Sequence, residues 1–414
     1  MPAFLLALLL IVLGPASAES QPTGATASTP SVPTPVQALT PDTVLDPPGG
    51  PRIVLLGTQG RGVSALRLFV PLTESSLESG MGRVMADLAE RRMEALARPV
   101  GARTRVVRTP RGLAYEAEGA TADLEYLAYL LREGASRPDV SEIPFTRART
   151  RAEERVARSR EVPSERLARS LRSALDPGAQ PLDGTRASLE ALQPARILEV
   201  WQRSHRAPGM TLVVSAGVLP EVVLAATRGM GSADPTDPGQ VYAPASDDTD
   251  GLATQTLRRW YGLGWAGGGG HPPVGPVTAL LLAEVLPDVT GDFESSVRLV
   301  ELSDRWGILL LGAAYPRRAQ ALRGSLNGAL DALEGSLNAT SVQQAVDRVR
   351  LDLLTGARTP RGLVEEVGWR MERSADPRAA ATYLERLEGV DLDSVHAFLA
   401  ELRAGGGTTG EVGP

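Results

Sequence analysis

Apolar and polar positions alternate along the chain in two recognisable periods. Period-2 or continuous apolar runs predict strands at Ile53–Leu56, Ala65–Val70, Thr104–Arg108, Leu113–Ala117, Met210–Ser215, Leu257–Trp265 and Ile308–Gly312. Helical spacing places Leu77, Met81, Val84, Met85 and Leu88 on one stripe of a helix that opens at Gly80. Further helices are expected after Thr121 and over 144–159, and one carrying Leu167, Leu171 and Leu175 should follow Pro163. Helical spacing also covers 188–205, 220–230, 277–286, 318–333, 341–354, 361–373 and 390–402. The order helix, strand, strand, helix, helix occurs twice, over 83–156 and 277–354. This predicts two homologous α+β domains, each an antiparallel-rich sheet packed by helices.

Three segments lack such periodicity. Residues 1–18 have a continuous apolar run, Phe4–Leu13, ahead of Ala16-Ser17-Ala18, the pattern of a secretory signal peptide. Residues 19–51 are rich in Pro, Thr and Ser and read as a disordered tether. Residues 232–251 read as a linker and 405–414 as a flexible Gly-rich tail. The two domains are therefore expected at 52–231 and 252–404, in an exported protein with no integral span once the signal is removed. A Gram-negative source would make the periplasm its compartment.

Composition narrows the chemistry. The 414-residue chain has a net charge of -6 and contains no cysteine, and every basic side chain other than its three histidines is an arginine. Disulfides, thiolate metal sites and cysteine catalysis are excluded, and the acidic balance argues against nucleic acid as a partner. His205, His271 and His396 lie in different elements, and none has a His or Glu four residues on to complete a metal pair. No Gly-x-Ser-x-Gly elbow is present. Gly267–Gly270 is followed by His271-Pro272-Pro273 rather than Gly-Lys-Ser/Thr, so it reads as a strand-to-helix connection, not a phosphate loop.

On the first helix, Arg83, Ala86 and Asp87 stand at i, i+3 and i+4, away from the apolar stripe, on the side expected to face a cleft or solvent. Arginine repels a metal ion and alanine cannot move a proton. A single carboxylate does not make a zinc site. The segment Gly80-Met81-Gly82-Arg83-Val84-Met85-Ala86-Asp87-Leu88 nevertheless resembles the metal helix of the pitrilysin/insulinase-type zinc peptidases, the inverzincins, which reads roughly Gly-Leu-Ala-His-x-x-Glu-His-Met. Thr73-Glu74-Ser75 resembles the turn before that helix. Pro144–Val156 with Pro163-Ser164, Pro181–Leu192 and His205–Gly217 resemble later family segments in the same order. Coverage runs from about Arg52 to Arg403.

The resemblance implies repeats of the LuxS/metallohydrolase-like peptidase kind. It also implies that the zinc and base positions fall on Arg83, Ala86, Asp87 and Arg155, with Glu154 one residue out of phase. The family's substrate-holding Arg and Tyr fall on Ser303 and Leu310. Every one of these positions is degenerate, so no catalytic residue, no metal and no cofactor is expected. Asp87 is expected to pair with Arg155 or Arg83 where zinc would sit. Arg147, Arg151, Arg155 and Arg158 share one face of their helix, which is either solvated or turned to that site as a basic surface for acidic peptides. The implied function is a non-catalytic peptidase homologue, a partner or scaffold subunit of an active insulinase-type peptidase or a homo-oligomer, with a peptide as possible ligand. The alternative is an active zinc metalloendopeptidase with divergent ligands drawn from Asp87, Glu90, Glu154 or a histidine.

Overall fold

The computed structural model describes residues 35–57, 62–75, 78–231 and 257–413. The signal peptide, residues 19–34 of the tether, Leu77 and the linker lie outside the described residues. The rest clusters as one compact unit, Pro35–Pro414.

The first half opens with α1 (Pro35–Ala38), β1 (Thr43–Leu45), β2 (Arg52–Leu56) and β3 (Val63–Pro71). Then come α2 (Met81–Ala97), β4 (Arg103–Thr109), β5 (Gly112–Ala120), α3 (Leu124–Gly134), α4 (Glu142–Glu161) and α5 (Pro163–Leu175). It closes with α6 (Arg186–Glu190), α7 (Pro194–Ser204), β6 (Thr211–Ser215) and α8 (Pro220–Ala226). The second half runs β7 (Arg259–Gly269), α9 (Val274–Thr290), β8 (Glu294–Glu301), β9 (Arg305–Ala314), α10 (Ala319–Asn327) and α11 (Ala329–Ser336). It ends with α12 (Ala339–Gly356), α13 (Pro360–Ser374), α14 (Ala379–Glu388), α15 (Leu392–Ala404) and β10 (Thr408–Val412).

The repeat expected from the sequence is visible in the sheets. The first has the order β1-β2-β6-β3-β5-β4, and the second β10-β7-β9-β8. In both, the strand before the long helix lies beside the second strand of the following hairpin, and a late strand closes the other side. All pairings are antiparallel except β2 with β6.

The halves exchange helices. α5 belongs to the first half by sequence but packs on β7, β9 and β10 of the second sheet. There Leu167 and Leu171 join Leu309, Leu311 and Val412 in a small core of their own. Gly262 and Gly410 make room for them, since a Cβ at either would lie 2.8 Å from a leucine methyl of α5. In the same way α13 packs on β3 and β6 of the first sheet. One large core accordingly mixes Leu39, Val54, Leu56, Ala65 and Val213 with residues of the second half.

Several expectations need correction. The tether was expected to reach residue 51, but α1 and β1 form within it, and β1 pairs with β2 from Thr43↔Leu55 to Leu45↔Ile53. The tail was expected to be flexible, but Thr408–Val412 pairs with β7 along its length. Its Thr and Val content suits an edge strand, a local signal hidden by the surrounding glycines. The helix expected over 188–205 is two, α6 and α7, because Pro194 supplies no N–H to continue the first. The helix over 318–333 breaks at Gly328 into α10 and α11. β8 and α14 are additional elements.

Candidate functional site

The start of α2 is held by Glu74. Its Oε1 accepts from the Gly82 amide at 2.5 Å and its Oε2 from the Gly80 amide at 3.3 Å, as a capping carboxylate does at the positive end of a helix. Arg108, its Nη2 at 3.5 Å, balances the charge in the same buried position. Gly80 adopts the left-handed conformation (φ 85°), and a Cβ there would run into Gly184 at 2.7 Å, so only glycine lets the 181–184 loop come this close.

That loop brings Asp183 to Arg83, whose Nε donates to Asp183 Oδ1 at 2.9 Å. One turn further along α2, Asp87 is buried at 4 % exposure. Arg155 of α4 grips it with two parallel bonds, Nη1 to Oδ2 at 3.0 Å and Nη2 to Oδ1 at 2.9 Å. This fork-on-carboxylate geometry is the strongest form of the pair. Burial works against the Arg155 charge, but the hydrogen bonds and charge of Asp87 outweigh it and hold its pKa above the ordinary value. Ala86 is buried and shares its core with Ala148 and Ala152 of α4. Their small side chains let the two helices lie close enough for the pair to form.

The face of α2 expected to look into a cleft is therefore covered. Met81, Gly82, Val84, Met85, Ala86, Asp87, Leu88 and Ala89 are all buried, so the first two turns are enclosed nearly all round, with Arg83 half-buried. Of the four arginines expected on one face of α4, Arg155 turns to this site. Arg147, Arg151 and Arg158 are exposed, so the expectation of a basic face looking at the site holds for one residue only. Glu154 is exposed as well, in keeping with its being about 100° out of phase on the helix. Glu90 accepts from the Val106 amide at 3.4 Å, and burial, with Glu94 and Asp87 nearby, raises its pKa.

The donor set at Arg83, Ala86, Asp87 and Arg155 does not fit a zinc ion. Its single carboxylate has both oxygens committed to a guanidinium, and two of the four side chains are cations. Among the described residues no group of three or more His, Asp or Glu could hold a metal. His205 is buried, with Nε2 2.7 Å from the Tyr115 hydroxyl and Nδ1 2.8 Å from the Ser204 hydroxyl. His271 is buried edge-on to Trp306, its Nε2 3.2 Å from the Leu302 carbonyl. His396 lies on the surface 3.9 Å from Glu334.

Ser303 and Leu310 are not brought together with these residues by any bond among the described residues. Leu310 is fully buried in β9 and part of the main core. Ser303 sits in the β8–β9 turn, where its amide and hydroxyl both donate to Asp176 Oδ2 at 2.7 Å. Its carbonyl accepts from Arg111 Nη2 at 3.3 Å, and Arg111 also reaches the Glu372 carbonyl at 3.3 Å at the end of α13. The two hairpin tips thus bind each other and the ends of the exchanged helices.

A second buried ionic cluster was missed from sequence. Arg67 of β3 is paired with Glu116 of β5, directly opposite in register, and with Glu372 of α13 at 2.5 Å. Arg361 reaches Glu116 at 3.4 Å. The exchanged α13 completes the cluster, and Gly368 leaves it room, since a Cβ there would lie 2.7 Å from Arg67 Cδ. The available signal was Arg67, the one charge inside apolar β3, and Glu116 within the buried part of β5.

In three dimensions the chain is similar to several solved structures. A protease from Helicobacter pylori superposes with a TM-score of 0.77 at 15% identity, over 90% of this chain and 100% of that one. The peptidase M16 inactive domain from Pseudomonas fluorescens gives a TM-score of 0.75 at 10% identity, over 90% and 97% of the two chains. The fold is that of the M16 peptidases. The periplasmic protease PqqL from Escherichia coli has the same fold, with a TM-score of 0.70 at 14% identity over 88% of this chain, which spans 44% of PqqL's length. No family model matches the sequence, and no curated protein matches it. At these identities the likeness establishes the M16-type fold, and the residues at the site decide what chemistry it can carry.

Proposed function

We propose that this chain is a non-catalytic peptidase homologue that serves as a partner or scaffold subunit for an exported insulinase-type peptidase. The observation that carries this reading is the bidentate Arg155–Asp87 pair, standing where the sequence resemblance puts zinc ligands. A buried carboxylate with each oxygen bonded to the same guanidinium is turned away from any substrate or metal, which speaks against a role as base or as ligand. An inactive M16 domain among the structures of the same fold supports the reading, as does a complex III2 assembly from Candida albicans at a TM-score of 0.72. Export rests on the pattern of residues 1–18. The periplasmic location of PqqL supports it, and no helix among the described residues is long and apolar enough to cross a membrane.

The test is to mix the mature chain with an active insulinase-type peptidase from the same genome. The expected result is a defined complex and a changed kcat/KM for that enzyme, while the chain alone cleaves no member of a peptide library with or without added zinc. Zinc-dependent cleavage by the chain alone would overturn the proposal.

A further inference from the structure

α4 carries an unusual exposed ridge. Ile143, at 63 % exposure, is followed at helical intervals by Arg147, Arg151 and Arg158, and Val162, at 45 %, stands at its end. Elsewhere on this Arg-rich surface ion pairs abound, but these three arginines make none among the described residues. Three unpaired cations between two exposed aliphatic side chains form a surface suited to an acidic partner with apolar walls.

Such a surface exists on the same molecule. A groove of about 480 Å³ runs between the start of α3 and the β6–α8 connection, lined by Asp123, Glu125, Tyr126, Tyr129, Val218 and Val222. Leu219, next in the chain to Val218, is 69 % exposed. The Tyr126 hydroxyl is tied to the Leu96 carbonyl at 2.9 Å, which fixes its ring as a wall. Asp123 and Glu125 make no ion pair among the described residues. Their position in the first turn of α3 also suits the helix dipole, but that does not account for the apolar walls beside them. The volume is within the range of small-ligand clefts and takes inserted side chains rather than a whole helix. Arginine stems can lie on Val218 and Val222 while the guanidinium heads meet the two carboxylates, the Tyr129 ring being already covered by Arg132 at 5.5 Å.

We propose that the groove receives the α4 ridge of a second copy of this chain. Ridge and groove are different patches, so the contact is heterologous and builds a head-to-tail ring or chain rather than a two-fold dimer. It is independent of whether the chain is catalytic, since none of the residues around Asp87 takes part.

Sedimentation velocity on the mature chain tests it, with two charge-reversed variants, Arg147→Glu/Arg151→Glu and Asp123→Arg/Glu125→Arg, each checked for an unchanged circular dichroism spectrum. The wild type should gain mass with concentration in low salt and lose it in 0.5 M salt, because exposed pairs are screened within about 10 Å at moderate ionic strength. Each variant alone should stay monomeric, and an equimolar mixture should assemble again, because each then supplies the complement of the other's reversed patch. A wild type that is monomeric at every concentration would overturn the proposal. So would assembly that neither variant weakens, or variants whose mixture stays monomeric.

Discussion

Replacing Arg155 with alanine costs about 3–5 kcal/mol of stability, the range for leaving one member of a buried ion pair without its partner. The cost is asymmetric. Asp87 is 4 % exposed and cannot turn to water when Arg155 is removed, whereas the Arg155 side chain is 33 % exposed and can partly resolvate when Asp87 is removed. Asp87→Ala is accordingly milder, about 1–2 kcal/mol. The double variant Asp87→Leu/Arg155→Met fills the same space with apolar groups and should lie within about 1–2 kcal/mol of wild type, because the pair's desolvation cost vanishes with it. Urea unfolding of wild type, Asp87→Ala, Arg155→Ala and Asp87→Ala/Arg155→Ala completes a double-mutant cycle, with the apolar double variant measured beside it. Equal losses for the two single variants, or additive losses in the double, would mean that the pair is not coupled as described.

Acid should destabilise the protein steeply through His205. The imidazole is fully enclosed between Tyr115, Ser204 and Trp201. Burial lowers its pKa to about 3 from an ordinary 6.5, against a smaller opposing contribution from a backbone hydrogen bond with Trp201. A histidine whose folded pKa is depressed binds its proton more readily when unfolded. Its neutral form therefore stabilises the fold fully above pH 6.5, and this contribution is lost as the pH falls toward 3. At about 1.4 kcal/mol per unit the loss between pH 7 and pH 4 is about 3 kcal/mol. His205→Gln removes that dependence but not the contribution of the carboxylates, so the stability difference between pH 7 and pH 4 should shrink by about that amount in urea titrations. An unchanged difference would show that His205 is not held neutral by burial.

The sequence carried the fold well where a period was long and clean. α2, α4, α5, β3 and β6 lie where their apolar spacing put them, and the duplicated order of elements reappears as matching sheet orders. What it did not carry was long-range. No local pattern says that Leu167 and Leu171 will pack on the sheet of the other half, or that α13 will close over Arg67, because the partner surfaces lie far away in the sequence. At the site, the spacing of Arg83, Ala86 and Asp87 was legible, as was the pairing of Asp87 with an arginine, though not the choice of Arg155 over Arg83. The partner of Arg83 was not, since Asp183 comes from a loop whose approach depends on two glycines touching, Gly80 and Gly184. The enclosure of α2 was also invisible, because the alanines of α4 that cover it look neutral in a sequence dominated by arginines.

The measurement that bears most directly on the central claim is the zinc content of the mature, tag-free chain after dialysis against excess zinc and then against metal-free buffer. With Asp87 committed to Arg155 and two cations in the place of ligands, the account predicts far less than one zinc per chain. One firmly held zinc per chain would contradict it.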